Sequence, residues 1–189
     1  MWPSATSARV TSCVTTSCSA SSRPTSGGTR SPSRQRPDVA VCVIDEQDRP
    51  VDTDDLAALA RHVLEHEQVS GGVELSLLLV DEATITQLNG QYMGKDVPTD
   101  VLAFPIDEPD ESFGEVPTVL GDVVLCPEVA AQRAPALGRR PDDEIRLLTV
   151  HGILHLLGMD HAEPDDEQAM FQRTDELLAS FASMRGGVA

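Results

Sequence analysis

Short apolar runs rich in β-branched residues alternate along the chain with longer segments in which apolar residues recur every three or four positions. The short runs predict strands at residues 39–44, 73–80, 101–104 and 119–126. The longer segments predict helices at residues 52–68, 82–89, 127–137 and 141–157, with a last helix that begins at Pro164. The order βαβαββααα predicts a three-layer or α+β single domain with a mixed sheet.

The segment 141–157 differs from the other predicted helices because apolar residues cover nearly its whole circumference. A helix that is apolar on every side is buried in a protein core. In its second half the non-apolar side chains are those of Thr149, His151 and His155. The two histidines are four residues apart, so their imidazoles point the same way and need partners in a buried setting.

A third histidine completes a set with the spacing of a metal site. Gly158 can adopt the left-handed conformation that ends a helix and turns the chain back, and His161 follows three residues later. Three imidazoles that converge on one point, with a fourth position open, are the ligands of a catalytic zinc. We therefore predict that His151, His155 and His161 bind one Zn²⁺ ion, although these ligands could also hold nickel or copper in vitro.

His62 and His66 have the same spacing and provide a contrast. On their predicted helix they lie off the centre of the apolar face, beside Glu65 and Glu67, and no third histidine follows them. We expect this second pair not to bind metal.

The spacing of the three histidines matches the metzincin protease motif, H-E-x-x-H-x-x-G-x-x-H, with one departure. Where those proteases carry a glutamate as general base, this chain has Gly152. A general base contributes about 10²–10⁴-fold to the rate of such a reaction. The motif therefore indicates a zinc centre without the base that peptide hydrolysis needs.

The string HGILHLLGMDH at residues 151–161 resembles the signature of the YbeY family of bacterial endoribonucleases, and residues 88–92, 95–105 and 120–126 resemble further family motifs in the same order. The resemblance implies a zincin-like α+β fold with a mixed four-stranded sheet, a buried metal-binding helix and one zinc ion on the three histidines. It also implies a cytoplasmic, single-strand-specific endoribonuclease that acts in 16S rRNA 3′-end maturation and ribosome quality control. The partners would be single-stranded RNA and the ribosome or its small-subunit proteins.

Two positions near the expected site depart from the family pattern. Family members commonly carry an arginine, facing the metal cleft, where this chain has Met93 after Tyr92. Lys95, the only lysine of the chain, is either a partial substitute for that phosphate ligand or an ordinary solvated loop residue. Ala103 replaces a common serine, which we interpret as a minor packing change.

The sequence does not identify the proton acceptor of the reaction. Asp160, next to His161, is a candidate to orient an imidazole, as metal-bound histidines usually require, but it could equally cap the last helix or face solvent. Beyond the metal ligands, the weak candidates for catalytic residues are therefore Lys95 and Asp160.

The net charge of −17 is distributed unevenly. Residues 1–37 contain five arginines, no acidic residue and many Ser, Thr and Pro residues, which cannot bury enough apolar surface to order the chain. We expect a disordered basic tail or a start codon assigned too far upstream, whereas the lack of a clear amphipathic period disfavours a transit peptide. Residues 38–189 then form the endoribonuclease-like domain, with nine basic and 31 acidic residues.

This acidic domain repels polyanions, which excludes a general nucleic-acid coat protein or a binder of anionic membranes, and we expect no DNA and no membrane partner. No apolar run approaches the roughly 18 residues of a membrane span, and no CxxC pair is present, in keeping with a soluble protein of a reducing compartment. RNA must then be positioned by the ribosome, by the basic tail or by a group of arginines. These are Arg133, Arg139, Arg140 and Arg146, for which the alternative is ordinary solvation and ion pairing with the many nearby acidic residues.

Two other functions are compatible with the sequence. The first is a non-catalytic ribosome-assembly factor in which zinc is structural, favoured by Met93 in place of arginine. The second is a metal-dependent hydrolase of another substrate, including a peptidase whose base comes from elsewhere in the chain.

Overall fold

The chain forms a four-stranded mixed sheet with helices on both faces, in a computed structural model that describes residues 39–69, 72–106, 118–159 and 164–186. The expected tail, residues 1–37, and residues 107–117, between the third and fourth strands, lie outside these residues. The strands are β1 (Ala40–Asp45), β2 (Val73–Leu79), β3 (Val101–Pro105) and β4 (Thr118–Leu125). The helices are α1 (Thr53–His66), α2 (Glu82–Met93), α3 (Pro127–Arg133), α4 (Pro141–Leu156) and α5 (Pro164–Gly186).

The predicted order of elements is confirmed, but the bounds of two helices differ by four residues: α2 continues to Met93 instead of ending at residue 89, and α3 ends at Arg133 instead of residue 137. The segment 127–137 divides into α3 and a 3₁₀ helix, Ala134–Leu137. Pro135 explains the division, because it has no backbone N–H to donate and its ring clashes with an α-helical carbonyl of the preceding turn.

The sheet has the strand order β1-β2-β4-β3. The pairs β1–β2 and β2–β4 are parallel, whereas β3 runs antiparallel to β4 and forms one edge. The alternation of side chains along β2 builds a core on each face: Leu75 and Leu77 face α1, α4 and α5, while Leu78 faces α2. None of the described helices is both long and apolar enough to cross a bilayer.

Strand β4 contains a bulge at Leu120, where its register with β2 shifts by one residue. Gly121 follows with a φ of 144°, and a Cβ atom there would lie 2.3 Å from the carbonyl oxygen of Phe104 on β3. Only glycine fits such a backbone and such a close approach. A glycine inside a strand pattern is typical of a bulge, and Asp122, the residue after this glycine, accordingly lies next to the bulge of β4.

One buried carboxylate joins three helices on the α4 side of the sheet. Asp55, in the first turn of α1, accepts a hydrogen bond of 2.6 Å from Nε of Arg146 on α4 and contacts Arg185 near the end of α5. Because a buried charge is tolerated only when it is paired, this cluster fixes how α4 and α5 lie relative to α1.

His62 is buried between α1 and α5, which differs from its expected place off the apolar face. The ring of Phe181 on α5 covers it, with 5.4 Å between ring centroids, and its Nε2 atom has no hydrogen-bond partner among the described residues. Burial and the neighbouring His66 lower the pKa of His62, against an opposing effect of Glu65. A contact from a helix more than 100 residues away is not visible in the local periodicity of α1.

Acidification is expected to destabilise the fold through His62. Its pKa in the folded state lies below the unfolded value of about 6.5, so the unfolded chain binds more protons as the pH falls through that value, and stability is lost. Chemical denaturation at about pH 7.5 and about pH 5.5 should show a smaller acid-induced loss in His62→Leu than in the parent protein. His66→Gln, a change at the exposed neighbour, should retain most of the loss. An equal loss in all three proteins would contradict this role of His62.

Candidate metal centre

Helix α4 is placed directly against the sheet by a glycine. A Cβ atom on Gly152 would lie 2.5 Å from Cγ1 of Val123 on β4 and 3.4 Å from Cγ2 of Val101 on β3. Gly152 thus marks the side of α4 that faces the sheet. Since successive residues of an α-helix are about 100° apart, His151 and His155 lie on the same side of Gly152, roughly 100° and 60° away from it around the helix axis. Both imidazoles are half-buried, while the apolar residues of the same helix fill the core.

The two histidines converge as their spacing predicts. Their Nε2 atoms are 3.2 Å apart, and the rings stand nearly perpendicular, at 88°. Two nitrogen atoms bound to one tetrahedral zinc at 2.0–2.1 Å would be roughly 3.3 Å apart, so this pair fits two of the ligands of such an ion. The same distance also suits an N–H···N hydrogen bond when one imidazole carries the shared proton.

The third predicted ligand, His161, and the neighbouring Asp160 lie outside the described residues. Within the described part of the chain, no group of three or more His, Cys, Asp or Glu side chains could hold a metal ion. The structure therefore brings together two of the three predicted ligands, and the complete triad stays a prediction.

Gly152 also explains why no general base follows His151. Its position faces the sheet, where the side chain of Val123 occupies the space that a glutamate would need. The sequence showed only that the carboxylate of the proteases was missing. A glycine inside a helix costs about 1 kcal/mol relative to alanine, and this was the available signal of a close packing contact.

An aromatic side chain that the sequence analysis missed lies beside the pair. Phe171 on α5 stacks on His151 with 6.1 Å between ring centroids and 22° between ring planes, yet 47% of the residue is exposed. Its signal in the sequence was weak, because Phe171 follows Met170 directly and the sequence does not show which of the two faces the core. It becomes noticeable only once α5 is known to cross α4.

The four arginines considered as a basic cluster for RNA are all engaged with carboxylates, so the structure supports the alternative that they form ion pairs with nearby acidic residues. The acidic residues that surround them provide a partner for each, at N···O distances of 2.6–3.1 Å. The pairs are Arg133–Asp100, Arg139–Glu144, Arg140–Asp143 and Arg146–Asp55. Ion-paired arginines contribute little net positive field for a polyanion.

Lys95 follows α2 in an exposed loop, and it makes no ion pair with any described residue. The loop is held by Asn89, whose side-chain amide donates a hydrogen bond of 2.7 Å to the carbonyl oxygen of Val97. Tyr92, at the end of α2, packs edge-on against Phe104 of β3 at 4.9 Å. Because α2 and α4 lie on opposite faces of the sheet, no contact among the described residues joins Lys95 to the histidines.

A groove of about 440 Å³ lies between the first turns of α4 and the last turns of α5. Arg146, Arg185 and Asp143 line it together with apolar side chains of α5. The candidate histidines occupy the other half of α4, so this groove is separate from the candidate metal centre.

Comparisons of the sequence with a family model and with curated proteins point to one family. The family model described as endoribonuclease YbeY matches residues 42–182. The chain is 50% identical to the endoribonuclease YbeY of Salinispora tropica over 155 residues, covering 78% of this chain and 99% of the relative, and 47% identical to that of Thermobifida fusca over 148 residues, covering 76% and 94%. It also resembles the solution structure of TM1509 from Thermotoga maritima, with a TM-score of 0.53, 27% identity and coverage of 79% of this chain and 93% of that one.

A side chain at position 152, where α4 lies directly against the sheet, is expected to destabilise the fold. The added methyl group of Gly152→Ala must displace Val123, and overpacking of this kind costs about 1–3 kcal/mol. Gly186→Ala is the matched control, because a Cβ atom at Gly186 meets nothing within 4 Å. Urea denaturation should show the loss only in Gly152→Ala. Equal stabilities would contradict the close approach of α4 to the sheet.

Removing one α4 histidine is expected to abolish tight zinc binding. His155→Ala takes away one of the two converging nitrogen atoms and should weaken zinc binding by more than the roughly 10- to 100-fold seen when an outer partner of a ligand is removed. His66→Ala changes a histidine of the second pair, whose Nδ1 atom lies 2.9 Å from the carbonyl oxygen of His62, and should bind zinc as the parent does. The measurement is competition with a chromogenic chelator. Equal zinc affinities of both variants would contradict the assignment.

Proposed function

Since the chain belongs to the endoribonuclease YbeY family, we propose that it is a single-strand-specific, zinc-dependent endoribonuclease acting in 16S rRNA 3′-end maturation and ribosome quality control. The observation that supports it best is the convergence of the Nε2 atoms of His151 and His155 on a buried helix. Gly152, packed against the sheet, sets this site apart from that of a zinc peptidase.

In this proposal, His151, His155 and His161 hold one zinc ion. When bound, zinc lowers the pKa of a bound water towards about 7 and polarises a phosphoryl oxygen. The packing of α4 against the sheet fixes the direction in which the two described imidazoles project.

Two further residues have proposed roles in RNA binding and cleavage. Lys95, exposed and outside any ion pair with the described residues, contacts an RNA phosphate as a point charge. Asp160 orients one of the imidazoles. Cleavage rates of Lys95→Met and Asp160→Asn that equal the parent rate would dismiss these roles.

Delivery of the RNA is proposed to depend on a partner in the cytoplasm, the ribosome or its small-subunit proteins. The described arginines near α4 are neutralised by carboxylates, and the domain is strongly acidic, so free RNA meets a repulsive surface. The basic residues 1–37 are a second source of attraction for RNA. Unchanged RNA affinity after their removal would contradict that contribution.

The main alternative is a ribosome-assembly factor without catalytic activity. Met93 in place of the family's arginine, together with the paired arginines, favours it, because both reduce the cations available to a scissile phosphate. A hydrolase of another substrate is a weaker alternative, since Gly152 leaves a peptidase without its usual base.

The proposal predicts cleavage of single-stranded RNA that depends on both metal and histidine. The zinc-loaded protein is incubated with single-stranded RNA, duplex RNA and casein, with and without chelator, beside His155→Ala and the control His66→Ala. Single-stranded RNA should be cut by the parent and by His66→Ala, and its cleavage should fall at least about 100-fold in His155→Ala or with chelator.

Each other outcome identifies a different function. Binding to small ribosomal subunits without cleavage of any substrate would contradict the nuclease and support the assembly factor. Cleavage of casein would support a peptidase. Cleavage of RNA that survives both the chelator and His155→Ala would place the chemistry elsewhere in the chain.

A further inference from the structure

Phe171 is an aromatic side chain left outside the core at the candidate metal centre. Its neighbour Met170 is buried, and so is Thr174 one turn later, so α5 has an inward face that Phe171 does not share. Its ring lies nearly parallel to that of His151, with 6.1 Å between ring centroids, yet nearly half of the residue is accessible to solvent. The exposed aromatic surface therefore borders an imidazole of the proposed site.

The surroundings of Phe171 favour a neutral ligand group over a phosphate. Arg173, two residues later, is paired with Glu67 at 2.7 Å and with Glu176 at 3.0 Å. The first turn of α5 is acidic. A strand of RNA that crosses α5 here meets a flat apolar ring and no described cation outside an ion pair, and every nucleobase has a face that stacks on such a ring.

We propose that Phe171 stacks on an unpaired nucleobase next to the phosphate that lies at His151 and His155. This inference rests on the proposed endoribonuclease function and names the residue that selects single-stranded substrate. Bases in a duplex are already stacked and paired, so they cannot offer a free face to Phe171 without unpairing. In a single strand, a base can stack on Phe171 without the free-energy cost of unpairing. Helix α5 would in this way select single-stranded RNA.

The stacking contact is tested by a double-mutant cycle between protein and RNA. Affinities of the parent, Phe171→Leu and Phe171→Trp are measured for a single-stranded oligonucleotide and for a series in which one abasic nucleotide moves along the strand. Phe171→Leu should weaken binding of the intact strand by about 5- to 150-fold, and Phe171→Trp should retain it. At one position the abasic nucleotide should weaken binding to the parent but have little effect on Phe171→Leu.

Two controls separate stacking from other roles of this residue. Met184→Ala, at another exposed apolar residue of α5, should bind RNA as the parent does. Phe171→Leu should bind zinc as tightly as the parent, whereas equal losses of zinc and RNA affinity would show that the ring only positions His151.

Tryptophan fluorescence of Phe171→Trp reports the stacking contact directly. Trp2 is the only native tryptophan, so the signal of Trp2 is removed by subtracting the parent spectrum, and the remaining fluorescence should be quenched when RNA is added.

The inference and the proposed function fail in different ways. Additive effects of Phe171→Leu and every abasic position, without quenching of the introduced tryptophan, would overturn the role of Phe171 even when the parent cleaves RNA. Absence of cleavage by the parent, with non-additive binding and quenching intact, would contradict the nuclease and leave the stacking contact standing.

Discussion

The close approach of α4 to the sheet at Gly152 is the contact on which the rest of the structure depends. With no Cβ atom between them, the helix backbone rests on Val123 and Val101, and the apolar residues of α4 complete the core under α1 and α5. The same contact sets how α4 is rotated about its own axis. His151 and His155 therefore project from the same side of the helix, with their Nε2 atoms 3.2 Å apart. One glycine thus serves packing and also fixes the direction of the candidate ligands.

Much of the fold could be predicted from the sequence because its signals are local. The β-branched runs at β1 and β2, the apolar circumference of α4 and the proline at the start of α3 each determine a nearby conformation. On a helix, the four-residue spacing of His151 and His155 also places both imidazoles on the same face. The order of elements and the convergence of two candidate ligands followed from these patterns.

The contacts that could not be predicted join segments far apart in the chain. Phe181 covers His62, Arg146 pairs with Asp55, and Phe171 reaches His151, each through a crossing of helices whose angle no local period determines. The ion pairs of the arginines could not be predicted for the same reason. The sequence shows how many basic and acidic residues there are, but not which of them pair in the fold. This strongly acidic domain of a nuclease family therefore has fewer unpaired cations for RNA than its composition alone indicates. Contacts of RNA bases with uncharged side chains such as Phe171 then become more important for binding.

The central claim is that α4 presents imidazoles to a zinc ion, and X-ray absorption spectroscopy of the zinc-loaded protein at the zinc edge tests it most directly. We expect a first shell of nitrogen and oxygen atoms at about 2.0–2.1 Å with the multiple-scattering pattern of three imidazoles, and little zinc retained by His155→Ala under the same conditions. A shell without imidazole scattering, or with sulfur at about 2.3 Å, would contradict the claim.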